Sequence, residues 1–296
     1  MTERFKLAFS TNAFSRHSLE SAINCIAACG YAGVEILADK PHLYPDRFSP
    51  RRAAKIQAVL SRKGLAISNI NANCTFGYWK DAPPEPFFEP SLISPVRQYR
   101  AVRAEMIANT LRYAHALGAA NISITSGKAL PTVPPDKARR QLKESLKPLL
   151  DLAHKLNVRI GIESEPGLLI EWAAELAELI SVMGSPLLGA NLDIGHSVVI
   201  GEPLGHTLRL LRGRIWNCHI EDLVGRKHYH LIPGRGNLNW AGLKRQLAVT
   251  RYPHFLTVEL YTCPDKPRQA AKESMAFLKP IFSAQQAVTP TKPEPA

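Results

Sequence analysis

The chain has 296 residues, of which 45% are hydrophobic and 21% are charged, and its formal net charge is +12. These values are typical of a globular protein and exclude a disordered chain. Five scattered cysteines without a Cys-x-x-Cys pair exclude a disulfide framework and indicate a reducing compartment. The positive charge is compatible with an acidic partner such as a phosphorylated molecule or nucleic acid, although Lys and Arg mostly solvate helix surfaces.

No apolar run reaches the ~18 residues that a membrane span requires. The N-terminal segment contains Arg4 and Lys6 without a long apolar stretch behind them, so it predicts a first strand and not a signal peptide. We therefore expect a cytoplasmic protein with no membrane partner.

Short apolar runs that favour strands recur along the chain. They are KLAFS (6–10), GVEIL (33–37), LAISNI (65–70), NISIT (121–125), VRIGIE (158–163), LLGANLD (187–193), RIWNCHI (214–220) and FLTVEL (255–260). Several are too continuously apolar to have a face in water, which is typical of a parallel sheet covered on both sides.

Helical periodicity separates these runs. The clearest segments are 18–30, 52–64, 104–118 and 143–157; three end at glycine and one at Asn157. Eight strands alternating with helices predict a single α/β domain, a (β/α)8 TIM barrel over residues 1–283. A doubly wound open sheet is the alternative, but no Gly-x-Gly-x-x-Gly follows the first strand.

Two segments interrupt this pattern. Residues 74–103 form an unusually long connection in which aromatic residues stand among prolines, and we interpret it as a lid or a structural brace. Its aromatic residues are Phe76, Tyr78, Trp79, Phe87 and Phe88. The Pro-rich tail, 284–296, is expected to be disordered.

The chemistry-bearing residues lie at strand ends. Glu163 and Glu165 end the fifth strand, Asp193 and His196 follow the sixth, His219 the seventh and Glu259 the eighth. The active site of such a barrel lies at this end of the strands, and buried carboxylates are costly unless they are paired or bind metal. A divalent cation is the simplest explanation. Alternatively, each group is an ordinary strand-end polar residue or helix cap.

The motifs IESEPG, NLDIGH, CHIED followed by HYHLIPGRG, and TVELY resemble those of the xylose-isomerase-like TIM barrels. This group includes sugar isomerases and epimerases as well as inosose dehydratases, and AP endonucleases of the endonuclease IV type share its fold. The resemblance extends from about Leu7 to about Pro280.

The resemblance implies one divalent metal ion, Mn²⁺ before Mg²⁺, Co²⁺ or Zn²⁺, bound by Glu163, Asp193, His219 and Glu259. Glu163 is preferred to Glu165 as the ligand because it closes the strand and Pro166 begins the turn. The implied function is a sugar or polyol isomerase or epimerase that works through a metal-stabilised enediolate, with Glu163 and Glu259 as base and acid.

Further residues are candidates for substrate binding. They are His196, His230, Glu165, Asn71 and Arg235. For His230, substrate contact is favoured over metal binding or a structural hydrogen bond, and Arg235 could hold a phosphate or carboxylate. Asn12 and Glu35 are further candidates for contact with substrate hydroxyls. We also expect Glu221 or Asp222 to support an imidazole.

Three alternatives remain open. A phosphodiesterase like the endonucleases would take zinc ligands from histidines after the third and fourth strands, but Asn71, Asn73, Ser123 and Thr125 stand there. Nucleic acid is therefore disfavoured as a partner. A cyclitol dehydratase and a non-catalytic polyol-binding barrel are the other two alternatives, and a homo-oligomer is possible.

Overall fold

The computed structural model describes residues 5–80 and 88–283 and shows a closed barrel of parallel strands. The strands are β1 Lys6–Ser10, β2 Gly33–Leu37, β3 Ala66–Asn71, β4 Asn121–Thr125, β5 Arg159–Glu163, β6 Leu188–Asp193, β7 Ile215–Ile220 and β8 Phe255–Val258. β1 closes the ring against β8, with Leu7 beside Leu256. The TIM-barrel prediction is confirmed, and the open-sheet alternative is wrong.

Helices connect the strands on the outside of the barrel. They are α1 Leu19–Ala28, α2 Pro50–Lys63, α3 Arg97–Leu117, α4 Pro135–Leu156, α5 Ala173–Met183, α6 Ile194–Ile200, α7 Leu204–Leu210, α8 Trp240–Val249 and α9 Pro267–Ser283. Gly64, Gly118 and Asn157 have left-handed backbone conformations directly after α2, α3 and α4. These residues therefore end the helices as their sequence positions predict.

Two helices begin earlier than the periodicity predicts. α3 begins at Arg97 and not near 104, and α4 begins at Pro135 and not near 143. Their first turns are rich in charged residues and carry little apolar periodicity, so this signal misses them. The predicted long connection is correspondingly shorter, since residues 97–103 are helical. Phe87 and the predicted tail 284–296 lie outside the described residues.

The strands separate an apolar shell from a polar barrel interior. Ile36, Ile70 and Ile162 are fully buried among apolar side chains. The strand residues that alternate with these point into the barrel. They carry polar groups that meet across it, as in the contact between Asn217 Nδ2 and Glu35 Oε2 at 3.4 Å. Successive strand residues face opposite sides, so this alternation places polar side chains beneath the C-terminal mouth.

Within residues 5–80 and 88–283, no helix has the length and apolar character needed to cross a membrane.

Candidate metal centre

Four side chains from consecutive strands converge at the C-terminal end of the barrel. Glu163, Asp193, His219 and Glu259 each offer a ligand atom, and these atoms lie within 4.8 Å of one another. All four residues are buried, with exposed fractions between 0% and 6%. Glu165 is not a member of this quartet.

The carboxylates surround one imidazole nitrogen. His219 Nδ1 lies 3.4 Å from Glu163 Oε2, 3.6 Å from Glu259 Oε2 and 3.9 Å from Asp193 Oδ2. Three oxygens and one nitrogen form a mostly hard donor set, which suits Mn²⁺, Mg²⁺, Co²⁺ or Zn²⁺.

The two carboxylate oxygens of Asp193 have different surroundings. Its Oδ1 accepts a hydrogen bond from the backbone N–H of His196 at 2.9 Å and thereby caps α6. Its Oδ2 is buried without a hydrogen-bond partner. A buried carboxylate oxygen without a donor is costly, so a cation at this position would compensate a group that the fold otherwise leaves unsatisfied.

The electrostatics agree with a cation site. Burial, together with the charges of Glu163 and Glu35, raises the pKa of Glu259 well above its usual range. Burial alone would raise the pKa of Asp193, but the imidazoles around it lower this pKa. Burial alone would lower the pKa of His219, but the charges of Glu259, Glu35 and Glu163 raise it. The quartet thus concentrates negative charge that a divalent cation would neutralise.

Glu35 supports the imidazole of His219 from below. Its Oε2 lies 2.7 Å from His219 Nε2, and neither side chain is exposed to solvent. Glu35, expected to meet substrate hydroxyls, thus faces His219, and among the described residues neither Glu221 nor Asp222 hydrogen-bonds the imidazole that one of them was expected to support. Asp222 accepts hydrogen bonds from its own loop, while both Glu221 oxygens are buried without partners.

Asparagine amides hold the glutamates. Asn12 and Asn71 each donate to Glu259 Oε1 at 3.0 Å, and Asn73 donates to Glu163 Oε2 at 2.7 Å. Asn191 also donates to Glu163 Oε2. Asn71, a candidate for substrate contact in the sequence, donates its amide to carboxylates, and its Oδ1 accepts from the backbone N–H of Asn73.

A signal for some of these amides exists in the sequence. Asn191 stands two residues before Asp193, and Asn217 stands two residues before His219. Residues two apart on a strand face the same side, so polar residues at these positions must also point into the barrel.

Three imidazoles form a second group beside the quartet, comprising His196, His228 and His230. His196 Nδ1 contacts the carbonyl oxygen of Ser164 at 3.0 Å, and His230 Nδ1 contacts that of Glu259 at 3.0 Å. His230 Nε2 lies 2.5 Å from His228 Nε2. His228 thus lies beside the two histidines that the sequence offers as substrate contacts.

The two remaining sequence candidates occupy different surroundings. Glu165 is partly buried, and burial raises its pKa to about 7. Its charge interacts with His196 and Glu163, so it belongs to the neighbourhood of the quartet. Arg235 is exposed and pairs with Glu273 of α9, with 2.6 Å between Nη2 and Oε2. The structure does not bring Arg235 to the quartet.

The segment after β3 is tied down by polar and aromatic contacts. Gly77 N–H donates to Asp39 Oδ1 at 2.8 Å, and Trp79 Nε1 donates to the carbonyl oxygen of Glu89 at 2.8 Å. The rings of Tyr78, Trp79 and Tyr99 pack edge to face, with centroids 5.0–6.0 Å apart. These contacts hold the described part of the connection against its neighbours, as a structural brace would be held.

Comparisons with known proteins agree with this architecture. The family model described as a xylose isomerase-like TIM barrel matches residues 23–281. Fructoselysine 3-epimerase of Escherichia coli O157:H7 is 23% identical over 282 residues, which cover 94% of this chain and 98% of that protein.

Two solved structures illustrate the likeness in three dimensions. A D-tagatose 3-epimerase-like protein superimposes with a TM-score of 0.77 at 19% identity, covering 94% of this chain and 97% of its own. The IOLI protein with a binding zinc atom has a TM-score of 0.73 at 15% identity, covering 95% and 99%. Given the match over most of its length, this chain belongs to the xylose isomerase-like TIM barrel family.

Proposed function

We propose that this protein is a divalent-metal-dependent sugar isomerase or epimerase, and that a keto sugar is its substrate. The observation that carries the proposal is the convergence of Glu163, Asp193, His219 and Glu259 in one buried quartet. The named relative and the structural neighbour described as epimerases support the same class of reaction.

The donor set favours Mn²⁺, with Mg²⁺, Co²⁺ and Zn²⁺ as the other candidates. When bound, such a cation would polarise the substrate carbonyl and stabilise the negative charge that develops as a neighbouring C–H proton leaves. His219 and Asp193 serve only as ligands in this proposal, whereas the two glutamates also move protons.

Each glutamate has one oxygen held by amides and one left for chemistry. Asn73 and Asn191 hold Glu163 Oε2, which leaves Oε1. In the same way, Asn12 and Asn71 hold Glu259 Oε1, which leaves Oε2. We propose that the two carboxylates remove and return the proton, Glu163 through Oε1 and Glu259 through Oε2, the oxygen that also faces His219 in the quartet.

The positions of the glutamates suit a reaction on two faces of one carbon. Glu163 ends β5 and Glu259 directly follows β8, and these are the outer strands of the four that supply the quartet. A base and an acid on opposite sides of a carbon would invert it, whereas one glutamate acting alone would move a proton between neighbouring carbons.

Substrate hydroxyls would be bound beside the quartet. We propose His196, Glu165 and His230 for this role, since all three lie next to Glu163, Asp193 or Glu259. A phosphate on the substrate would meet Arg235 only if that side chain left Glu273.

The competing candidate functions would give different products. The described ends of β3 and β4 contribute no ligand to the groups of potential metal ligands, which disfavours a multinuclear zinc phosphodiesterase. A cyclitol dehydratase would use the same quartet but would release water and leave a double bond. A non-catalytic polyol-binding barrel would exchange no protons.

The direct experiment is solvent deuterium exchange. The protein supplied with Mn²⁺ is incubated in D₂O with a panel of ketoses, and NMR follows deuterium at the carbon next to the carbonyl. We expect exchange and an epimer or isomer as the product, with rates at least ~10²-fold lower in Glu163→Gln and Glu259→Gln. Glu178→Gln, an exposed change on α5, is the matched control. Absence of exchange with every ketose would contradict the proposal.

A further inference from the structure

We infer that Glu35 is a positioning residue that makes His219 present its Nδ1 atom to the metal quartet. The inference rests on the proposed function only in that the quartet holds a metal ion. It assigns Glu35 no contact with substrate, since the side chain is fully buried beneath His219.

The Oε2 atom of Glu35 acts as a hydrogen-bond acceptor. Asn69 Nδ2 lies 2.8 Å from this oxygen, and Asn217 Nδ2 lies 3.4 Å from it. A second bond fixes each amide, because Asn69 Oδ1 accepts from Asn121 and Asn217 Oδ1 accepts from Thr257. An ionised carboxylate has no proton to donate, so Glu35 can contact His219 Nε2 only as an acceptor.

His219 must then donate through Nε2. A neutral imidazole carries one N–H, so a proton on Nε2 leaves the lone pair on Nδ1. The opposite side of the ring agrees, since the Asn191 amide nitrogen lies 3.2 Å from Nδ1 and can donate to it. The three quartet carboxylates lie around the same atom. Both sides of the ring therefore select one tautomer.

Glu35 is also linked to both glutamates through asparagine amides. Asn71 Nδ2 is shared between Glu35 Oε1 at 3.3 Å and Glu259 Oε1 at 3.0 Å. On the other side, Asn217 donates to Asn191, which in turn donates to Glu163. Glu35 thus contacts His219 directly, is linked to Glu259 through one amide and to Glu163 through two, and carboxylate partners of a metal-binding imidazole typically raise metal affinity 10–100-fold.

The first test needs no variant. Long-range proton–nitrogen NMR of the Zn²⁺-loaded protein with ¹⁵N-labelled histidine reports which ring nitrogen of His219 carries the proton. With Zn²⁺ as a diamagnetic probe, we expect Nε2–H and a metal-shifted Nδ1. A proton on Nδ1, or zinc on Nε2, would overturn the inference.

The second test compares two buried substitutions by competition for Zn²⁺ with a chromophoric chelator. We expect Glu35→Ala to bind Zn²⁺ 10–100-fold more weakly than wild type and to show both His219 tautomers. Asn121→Ala, which removes a buried amide from the same network without touching His219, should stay within about threefold of wild type. Equal losses in both variants would reduce Glu35 to a structural residue and overturn the inference. If Glu35→Ala fails to fold, the tautomer measured for His219 in the wild-type protein decides whether the inference holds.

These readouts are independent of turnover. If no sugar were epimerised but Zn²⁺ bound through His219 Nδ1 in a Glu35-dependent way, the proposed function would fail and the inference would stand. If the protein turned over a sugar but bound zinc through Nε2 of His219, the proposed function would stand and the inference would fail.

Discussion

Asp222 Oδ2 accepts a hydrogen bond from the indole Nε1 of Trp240, 3.2 Å away. The same carboxylate accepts from the backbone N–H of Gly234 at 2.8 Å and from those of Leu223 and Leu238 at 3.0 Å. Three backbone donors of the loop after β7 and the first side chain of α8 thus converge on one buried carboxylate. The segment between these donors carries His228 and His230, so Asp222 anchors the loop that contains both imidazoles.

Asp222→Ala should destabilise the protein by about 3–5 kcal/mol, because it leaves several buried donors without an acceptor. Urea unfolding of wild type and variant measures the difference. Asp265→Ala, at an exposed aspartate, is the control and should change stability by less than about 1 kcal/mol. A small effect of Asp222→Ala would show that water replaces the carboxylate in the loop.

Asn73→Ala should lower metal affinity about tenfold. The substitution removes the amide that holds Glu163 Oε2 at 2.7 Å, so this ligand would gain rotational freedom. Calorimetric titration with Mn²⁺ measures the change. Asn109→Ala is a matched control, because Asn109 is equally buried but donates to the carbonyl oxygens of Pro45 and Asp46. It should cost stability and leave affinity unchanged; a loss of affinity in both variants would indicate a general effect of cavities.

Trp79→Phe should loosen the segment after β3 without unfolding the barrel. The change keeps an aromatic ring against Tyr78 and Tyr99 but removes the hydrogen bond to the Glu89 carbonyl oxygen. We expect a stability loss of about 1 kcal/mol. Amide hydrogen exchange should become faster in residues 75–80 and stay unchanged in the strands. Unchanged exchange at 75–80 would show that this bond does not order the segment.

His254 should make the protein less stable in acid. Burial, together with the charge of Arg159, lowers the pKa of His254 to about 4, against about 6.5 in an unfolded chain. The unfolded state therefore binds a proton first, and stability is lost as the pH falls from about 6.5 to 4. After allowance for solvent screening, His254→Gln should remove on the order of 1 kcal/mol of this loss.

Free energies of unfolding at pH 8 and pH 5 test this sign. The difference between the two pH values should be smaller in His254→Gln than in wild type. His206→Gln, at an exposed histidine of α7, provides the comparison. An equal pH dependence in His254→Gln and wild type would contradict the assignment.

Local patterns account for most of the fold and for the quartet. Continuous apolar runs predict the strands. Gly64, Gly118 and Asn157 end their helices because each of them adopts a left-handed backbone conformation. Glu163, Asp193, His219 and Glu259 are predictable because parallel strands bring their C-terminal ends to one mouth.

Contacts between distant strands account for what the sequence does not show. Glu35 and His219 are separated by 184 residues, and no local periodicity reports that their side chains meet. The direction of Arg235 depends on α9, which places Glu273 beside it. The starts of α3 and α4 are missed because their polar first turns depend on tertiary packing rather than on an apolar stripe.

The most direct test of the metal centre is calorimetric titration of Mn²⁺ into the chelator-treated protein and into the Asp193→Asn and Glu259→Gln variants. We predict one tight site per chain in wild type and affinity at least about 100-fold weaker in both variants, whose folding is verified by circular dichroism. Absence of binding in wild type, or equal binding in all three proteins, would contradict the assignment of the quartet as the metal centre.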